Sequence, residues 1–414
     1  MESTLDQLEI KSRFLAKSLV FNNPFTRIVD LGMHPFADTF ISKNQLEYAE
    51  PVFPLSCGLD EKSGLIFNEY LTPDSSRYNL YDYSYTSSNS DFSRKHWIEF
   101  AAYTSNVLNK SSRIMEVGSN DGFLSLKLKD LGFEILGVDS SGAMAKIANE
   151  LGVETVEATF SHKIASDLQS TRGVFDCLIA NNVLNHANDP LDFLQGVDQI
   201  LAPDGVFIFE VPYWLDLFES GHFDQIYHEH VSYFTVKSIR SLLELINFKI
   251  IEISHVDYHG GSLRVIAART TNTSKNEDAS VSSMIESEVA LGLFRAETYE
   301  QFRKRISIER ARVMTTIYDH FTKIPEIPII GVGAAAKANT LLNFYGLDSS
   351  LLFAVTDSSP FKQGKYTPLT RIPIVSDDVF REFSEVTALI LSWNLSDKLK
   401  QMLLEFNPRI RFLR

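Results

Sequence analysis

The alternation of apolar and polar residues changes character along the chain. Residues 1–97 hold short strand-like pieces, Arg27–Leu31 and Leu65–Phe67, followed by a polar, aromatic stretch reading NLYDYSYTSSNSDFSRKHW. From about Trp97 to Arg269, helical and strand-like patterns alternate. A helix over Ile98–Asn109 leads into the apolar run RIMEV and the turn GSNDG, then an amphipathic helix, EILGVD, another helix and VFDCLIANNVL. A helix over Pro190–Ala202, the turn PDG and the strand VFIFEV follow. Short apolar runs between helices predict a parallel sheet covered by helices on both faces. Residues 271–280, TNTSKNEDAS, are poor in apolar side chains and read as a boundary or flexible connection. One long helical stretch is expected from about Val281 to Phe321, with Phe302, Ile306 and Val313 at helical spacing. After Ile324 a second α/β pattern opens with IPIIGVGAAAKANTLLNFYG and continues through LLFAVTD and RIPIV to ALILSW.

The expected fold class is therefore α/β: a Rossmann-like core over 98–270, a small N-terminal domain over 1–97, a helical connection over 271–325 and a second Rossmann-like domain over 326–414. Two or three domains also suit 414 residues. Lys and Arg number 39 against 53 Asp and Glu, a formal net charge of −14. That balance argues against a nucleic-acid polymer or a polybasic membrane contact, while leaving room for a local basic pocket. Two cysteines exclude a disulfide scaffold and a Cys-rich metal site. The start, MESTLDQLEIKSRF, lacks a signal pattern, and no apolar run is long enough to span a membrane, so a cytoplasmic protein is expected.

In IMEVGSNDG a buried strand stops at Glu116, and Gly118 and Gly122 bracket a turn into a helix. Such a turn lets backbone approach a ligand closely. Asp139 ends the next strand, where a carboxylate grips a ribose diol. NAD and S-adenosylmethionine both present that diol, and the charge of the loop separates them. A dinucleotide fingerprint is G-x-G-x-x-G, yet Glu116 stands at the first glycine and Asp121 adds a second carboxylate. Two acidic groups repel a pyrophosphate and suit a sulfonium with an α-amino group. The candidate donor site comprises Glu116, Gly118, Asn120, Asp121, Gly122, Asp139, Ser140 and Asn181.

The segment FDQIYHEHVSYF places Tyr227, His228, Glu229 and His230 together, and NNVLNHANDP sets His186 just after a buried strand. A neutral histidine oriented by a Tyr or Glu is a good general base. His228 and His230 are two residues apart and no further ligand has metal spacing, so no metal site is expected there. Downstream, HGGSLR carries His259 and Arg264. At the second glycine turn, GVGAAAK, a third glycine is missing; Lys337 there, with Lys362 and Lys365 of FKQGKYTPL, forms a candidate local diphosphate pocket.

On these residues the chain resembles the S-adenosylmethionine-dependent sugar C-methyltransferases of deoxysugar biosynthesis. EVGSNDG with Asp139 looks like the family's donor site, DQIYHEH and HGGSLR like its catalytic and substrate strips, and GVGAAAKANTLLN with TDSSPFKQGKYTP like its C-terminal signature. The similarity spans nearly the whole chain. It implies a small zinc-type N-terminal domain, a class I methyltransferase core and a C-terminal nucleotide-sugar-binding domain. It also implies methyl transfer to carbon on a nucleotide-linked keto-deoxysugar, typically a dTDP-4-keto-6-deoxyhexose. The family's base falls on His230, with Tyr227 and Glu229 beside it. The histidine after the fourth core strand falls on His186, and a substrate tyrosine on Tyr83 or Tyr85. An oxygen or nitrogen acceptor, or a non-catalytic nucleotide-sugar-binding homologue, are the alternatives.

The chain departs from this family at the zinc site. PVFPLSCGLDEKSGLIF has Asp60 and Ser63 where the second cysteine pair usually stands, Cys57 lies outside that frame, and no first pair precedes DLGMHPFADTF. One thiolate cannot build a tetrahedral structural site. Zinc is expected to be absent, with aromatic packing holding the N-terminal domain together.

Overall fold

The computed structural model describes residues 13–73, 77, 86–88 and 90–413. Near the N-terminus, strands β1 (Thr26–His34), β2 (Phe53–Leu59) and β3 (Ile66–Asn68) pair antiparallel. A fourth strand, Ser232–Tyr233, joins this sheet beside β3 from far along the chain. Phe25 packs on Phe67 and Phe36 on Phe53, each pair with ring centroids 5.1 Å apart. At the place of the expected cysteine pair, the buried Asp60 closes a turn. Its carboxylate accepts from Lys62 N (3.1 Å), Ser63 N (3.2 Å) and Asn23 Nδ2 (3.0 Å). Cys57 is buried and free. Among the described residues no group of His, Cys, Asp or Glu is arranged to hold a metal.

The core opens with α1 (Asp91–Val107), which starts before the expected Ile98 because Ser90 caps it, accepting from Ser93 N at 3.1 Å. The boundary drawn at 97 therefore falls inside a helix. There follow β4 (Arg113–Val117), α2 (Phe123–Asp130), β5 (Glu134–Asp139), α3 (Gly142–Glu150), β6 (Thr155–Glu157), α4 (His162–Arg172) and β7 (Phe175–Ile179). Next come α5 (Pro190–Ile200), β8 (Leu201–Pro212), α6 (Trp214–Ser220), β9 (Ser232–Tyr233), α7 (Val236–Glu244), β10 (Phe248–Val256) and β11 (Ser262–Arg269). The seven-stranded sheet runs β10-β11-β8-β7-β4-β5-β6, with β11 antiparallel to both neighbours. The central strands are buried on both faces, as their unbroken apolar runs require. Strand order reverses between β4 and β7, which opens a crevice at their carboxyl ends.

The single long helix expected after Val281 is two, α8 (Ser280–Ala290) and α9 (Thr298–Lys323). Gly292 adopts φ 74° and Leu293 N turns back to Glu288 O, which ends α8 in a left-handed cap. Helix α9 is no free linker: Arg303 Nη1 donates to Ile28 O in β1, and Trp214 Nε1 donates to Tyr299 Oη. The C-terminal unit comprises β12 (Ile329–Val332), α10 (Ala336–Tyr345), β13 (Ala354–Thr356), β14 (Ile374–Val375), β15 (Val386–Ile390), α11 (Ser396–Phe406) and β16 (Ile410–Leu413). Its parallel sheet runs β14-β13-β12-β15-β16. It docks on the rest through Asn339 Nδ2 to Ala37 O and Thr340 Oγ1 to Ile226 O. No helix among the described residues is long and apolar enough to cross a membrane.

Candidate active site

Past β4 the chain turns through Gly118 (φ 70°), Asn120 (φ 51°) and Gly122 (φ 77°) into α2. A Cβ on Gly118 would overlap Val183 Cγ2, so glycine is what lets this turn lie against the loop after β7. Asp139, at the end of β5, accepts from Asn120 N and Ser141 N, both at 2.8 Å. Each carboxylate oxygen keeps capacity for a ribose hydroxyl. Burial raises the pKa of Asp139. Ser140 is exposed beside it. Both ends of the Asn181 side-chain amide, and Ser119 Oγ, are buried with no partner among the described residues. A buried unpaired polar group costs about 1–3 kcal/mol, so these groups fit a crevice completed by a polar ligand such as S-adenosylmethionine.

The acidic lining differs from its expected form. Ser125 Oγ donates to Glu116 Oε2 at 2.5 Å, and burial, with the charges of Asp121 and Asp139 adding, raises the Glu116 pKa to about 8. Asp121 accepts from Ser87 Oγ (2.5 Å), Ser88 Oγ (2.6 Å) and Ser88 N (3.2 Å). Glu116 thus holds its proton toward neutral pH far more tightly than an ordinary carboxyl, and Asp121 accepts from two hydroxyls.

Across this turn lies the histidine cluster. Tyr227 Oη is 2.6 Å from His230 Nε2, and His230 Nδ1 is 3.0 Å from Gln225 O. A carbonyl only accepts, so Nδ1 carries the proton and Nε2 accepts from the tyrosine hydroxyl. Burial, and then the neighbouring His186, hold His230 well below the usual histidine range. The two rings lie 5.0 Å apart at 81°. His186 itself is pushed down to about 3 by burial, helped by the Arg77 charge. Val231 N donates to Asn185 O at 2.7 Å, tying the His186 loop to the His230 segment. Because the same loop touches Gly118 through Val183, the donor turn, His186 and His230 meet at the carboxyl edge of the sheet.

Glu229 does something other than orient the base. Its Oε1 accepts from Ala37 N (3.0 Å) and Asp38 N (3.1 Å), clamping the N-terminal loop, and burial raises its pKa to about 7. His228 packs edge-on to Phe36 and Phe53 and reaches Pro54 O. Sequence reasoning missed Asn68, whose Nδ2 donates to Tyr227 O (3.0 Å) and His230 O (2.9 Å). It missed Arg77 as well, which donates to His228 O and Asn188 Oδ1. Neither carries a local motif, and both reach the site from the N-terminal region.

The expected substrate residues separate. Lys337 Nζ donates to His259 O at 3.1 Å and lies 5.3 Å from the Trp393 ring centroid. Burial lowers the Lys337 pKa against the pull of Asp224. Arg264 is not offered to an acceptor: it pairs with the fully buried Glu210 at 2.7 Å beneath Phe100 and Tyr103. Lys362 donates to Ala334 O (2.8 Å) and lies 3.6 Å from Asp357 Oδ2, which itself accepts from Ala334 N (3.0 Å). The second glycine turn is thus satisfied internally, and Gly333 is required because a Cβ there would overlap Ser392. The charges of Lys362 and Lys365 face Asp38, whose pKa burial raises to about 6. Lys362 and Lys365 thus share Asp38, while Lys337 is held by His259 O. Tyr83 and Tyr85 lie outside the described residues.

Residues 91–253 match the family model of the methyltransferase domain, and residues 257–409 that of the C-methyltransferase C-terminal domain. C-methyltransferase NovU of Streptomyces niveus is 27% identical over 372 residues, covering 90% of this chain and 88% of that protein. Magnesium protoporphyrin IX methyltransferase (ChlM) from Synechocystis PCC 6803 with bound SAH aligns over 43% of this chain and 83% of its own, at 17% identity and a TM-score of 0.36. The PH0226 protein from Pyrococcus horikoshii OT3 aligns over 48% and 99%, at 18% identity and a TM-score of 0.38.

Proposed function

We propose, from the premise that this chain is an S-adenosylmethionine-dependent methyltransferase carrying a C-methyltransferase C-terminal domain, that it methylates a carbon beside the ketone of a nucleotide-linked keto-deoxysugar, such as a dTDP-4-keto-6-deoxyhexose. Asp139 is suited to the donor's ribose, Asn181 and Ser119 to its polar groups, and Glu116 to its cationic end. Bound there, S-adenosylmethionine supplies an electrophilic methyl group.

A carbon next to a ketone becomes a nucleophile only after losing a proton. Because Tyr227 Oη covers His230 Nε2, the substrate proton passes to the tyrosine oxygen while the tyrosine's own proton moves to Nε2. Nδ1–H keeps donating to Gln225 O, so the imidazolium that forms is held in place. His186, kept neutral by burial and hydrogen-bonded to the Glu229 backbone, stands edge-on to the His230 ring. At the other end, Lys337 stands in the first turn of α10, which begins without a side-chain cap among the described residues. A cation there opposes the helix dipole, which makes the place favourable for an anion such as a diphosphate.

The 2.6 Å Tyr227–His230 contact, with its tautomer set by Gln225, carries this reading. The test is solvent-deuterium exchange at the sugar carbon without methyl donor, followed by product connectivity with it. Wild-type protein is expected to exchange, His230→Ala to lose exchange, and Tyr227→Phe to slow it by about 10²-fold. Undiminished exchange in His230→Ala sinks the base assignment. Methylation of oxygen without any exchange sinks the carbon acceptor.

A further inference from the structure

Glu210 sits near the end of β8 with its side chain wholly buried, and its two oxygens serve two different elements. Oε1 accepts from Arg264 Nε at 2.7 Å, and Oε2 lies 2.7 Å from His96 Nε2. Arg264 is its cross-strand partner on β11, whereas His96 comes from α1. Since the carboxylate only accepts, His96 Nε2 carries a proton and its ring plane is tethered. That ring lies flat on Tyr258, with centroids 3.8 Å apart and planes 1° apart. Phe92, one turn earlier on α1, stacks with Tyr258 at 5.7 Å.

Tyr258 opens an unusual turn. His259, Gly260 and Gly261 have φ of 56°, 89° and 113°, three left-handed residues in succession, the first of them not glycine. A non-glycine residue there costs about 1–3 kcal/mol and persists only where its surroundings over-determine it. The surroundings do so. Ser262 Oγ (2.9 Å) and Gly261 N (3.0 Å) both donate to Tyr258 O. Trp393 leaves no room for a side chain at Gly260, nor Asp216 at Gly261. The product of this construction is the position of His259 O, which receives Lys337 Nζ.

A buried ionic group is weak evidence for stability, because apolar replacements are often tolerated. What the Glu210 network adds is direction: it sets His96, His96 sets Tyr258, and Tyr258 begins the strained turn. We infer that Glu210 and His96 are positioning residues that hold the His259–Gly261 turn, and with it Lys337, in the geometry that receives the acceptor's diphosphate. This rests on reading that joint as the diphosphate site.

The experiment uses the full chain and calorimetric titration with dTDP, with UDP and with S-adenosylhomocysteine. His96→Leu and Glu210→Gln are expected to weaken dTDP binding by at least about tenfold while leaving S-adenosylhomocysteine affinity within about twofold. His96→Gln, which keeps an N–H for Glu210, is expected to recover dTDP affinity to within about threefold of wild type. Unchanged dTDP affinity in His96→Leu overturns the positioning role, and so does an equal loss for both ligands, which marks general damage to the core. Should His96→Leu fail to fold, the near-isosteric Glu210→Gln decides by the same comparison. If wild-type protein binds neither dTDP nor UDP, the diphosphate reading of the joint fails and this inference falls with it; binding that the variants leave intact overturns the positioning role alone.

Discussion

Glu116→Gln removes a titrating group from the donor turn while keeping an acceptor for Ser125. In the wild-type protein this carboxyl has a pKa of about 8, raised by burial, and the charges facing it are those of Asp121 and Asp139. A donor whose cationic end is held by the ionised form binds with an apparent Kd multiplied by 1 + 10^(pKa − pH). That factor is about 1.3 at pH 8.5 and about 33 at pH 6.5, so affinity weakens about 25-fold over the interval when the bound-state pKa lies below it. Free-state pKa exceeds bound-state pKa, so binding releases a proton and affinity rises with pH until about 8. His186, near 3, titrates outside this window. Calorimetry with S-adenosylhomocysteine at pH 6.5, in two buffers of different ionisation enthalpy, is expected to report release of nearly one proton. Glu116→Gln is expected to abolish both the release and the slope. A wild-type profile flat within about twofold, or an equal slope in Glu116→Gln, contradicts the assignment. The same group has an opposite effect on the ligand-free fold: its folded pKa lies above the ordinary carboxyl value of 4.5, so its contribution to stability is present below that value and is lost as pH rises toward 8.

Gly118→Ala places a Cβ against Val183 at a positive φ, and S-adenosylhomocysteine affinity is expected to fall by more than about tenfold in the same titration. Asp60→Ala removes a carboxylate that accepts from Lys62 N, Ser63 N and Asn23 Nδ2; thermal melts should show a loss of about 2 kcal/mol with donor affinity unchanged. Elemental analysis of the purified protein is expected to find no stoichiometric zinc, and dialysis against a chelator to leave the melting temperature where it was; one equivalent of metal overturns the reading of the 57–63 segment.

Short-range patterns were enough to locate the backbone turns of the candidate site. A buried run, two glycines and a helix mark the donor turn, and a carboxylate ending the next strand marks Asp139, because both features arise from backbone conformation within a few residues. Tyr227 and His230 are three residues apart, so their meeting is also a local matter. The proton on Glu116, however, depends on how completely the folded chain excludes water around it, which no window of sequence contains. Partners were equally hidden. Arg264 looked free in HGGSLR until the pairing of β8 with β11 brought Glu210 against it, and Glu229 turned toward Ala37 and Asp38 rather than toward its neighbour His230. Asn68 grips the Tyr227–His230 segment from 159 and 162 residues away in the chain. Order along the chain determined which groups exist and how the backbone bends to present them; desolvation and long-range contacts decided which of those groups are charged, which are already paired and which remain to meet a ligand.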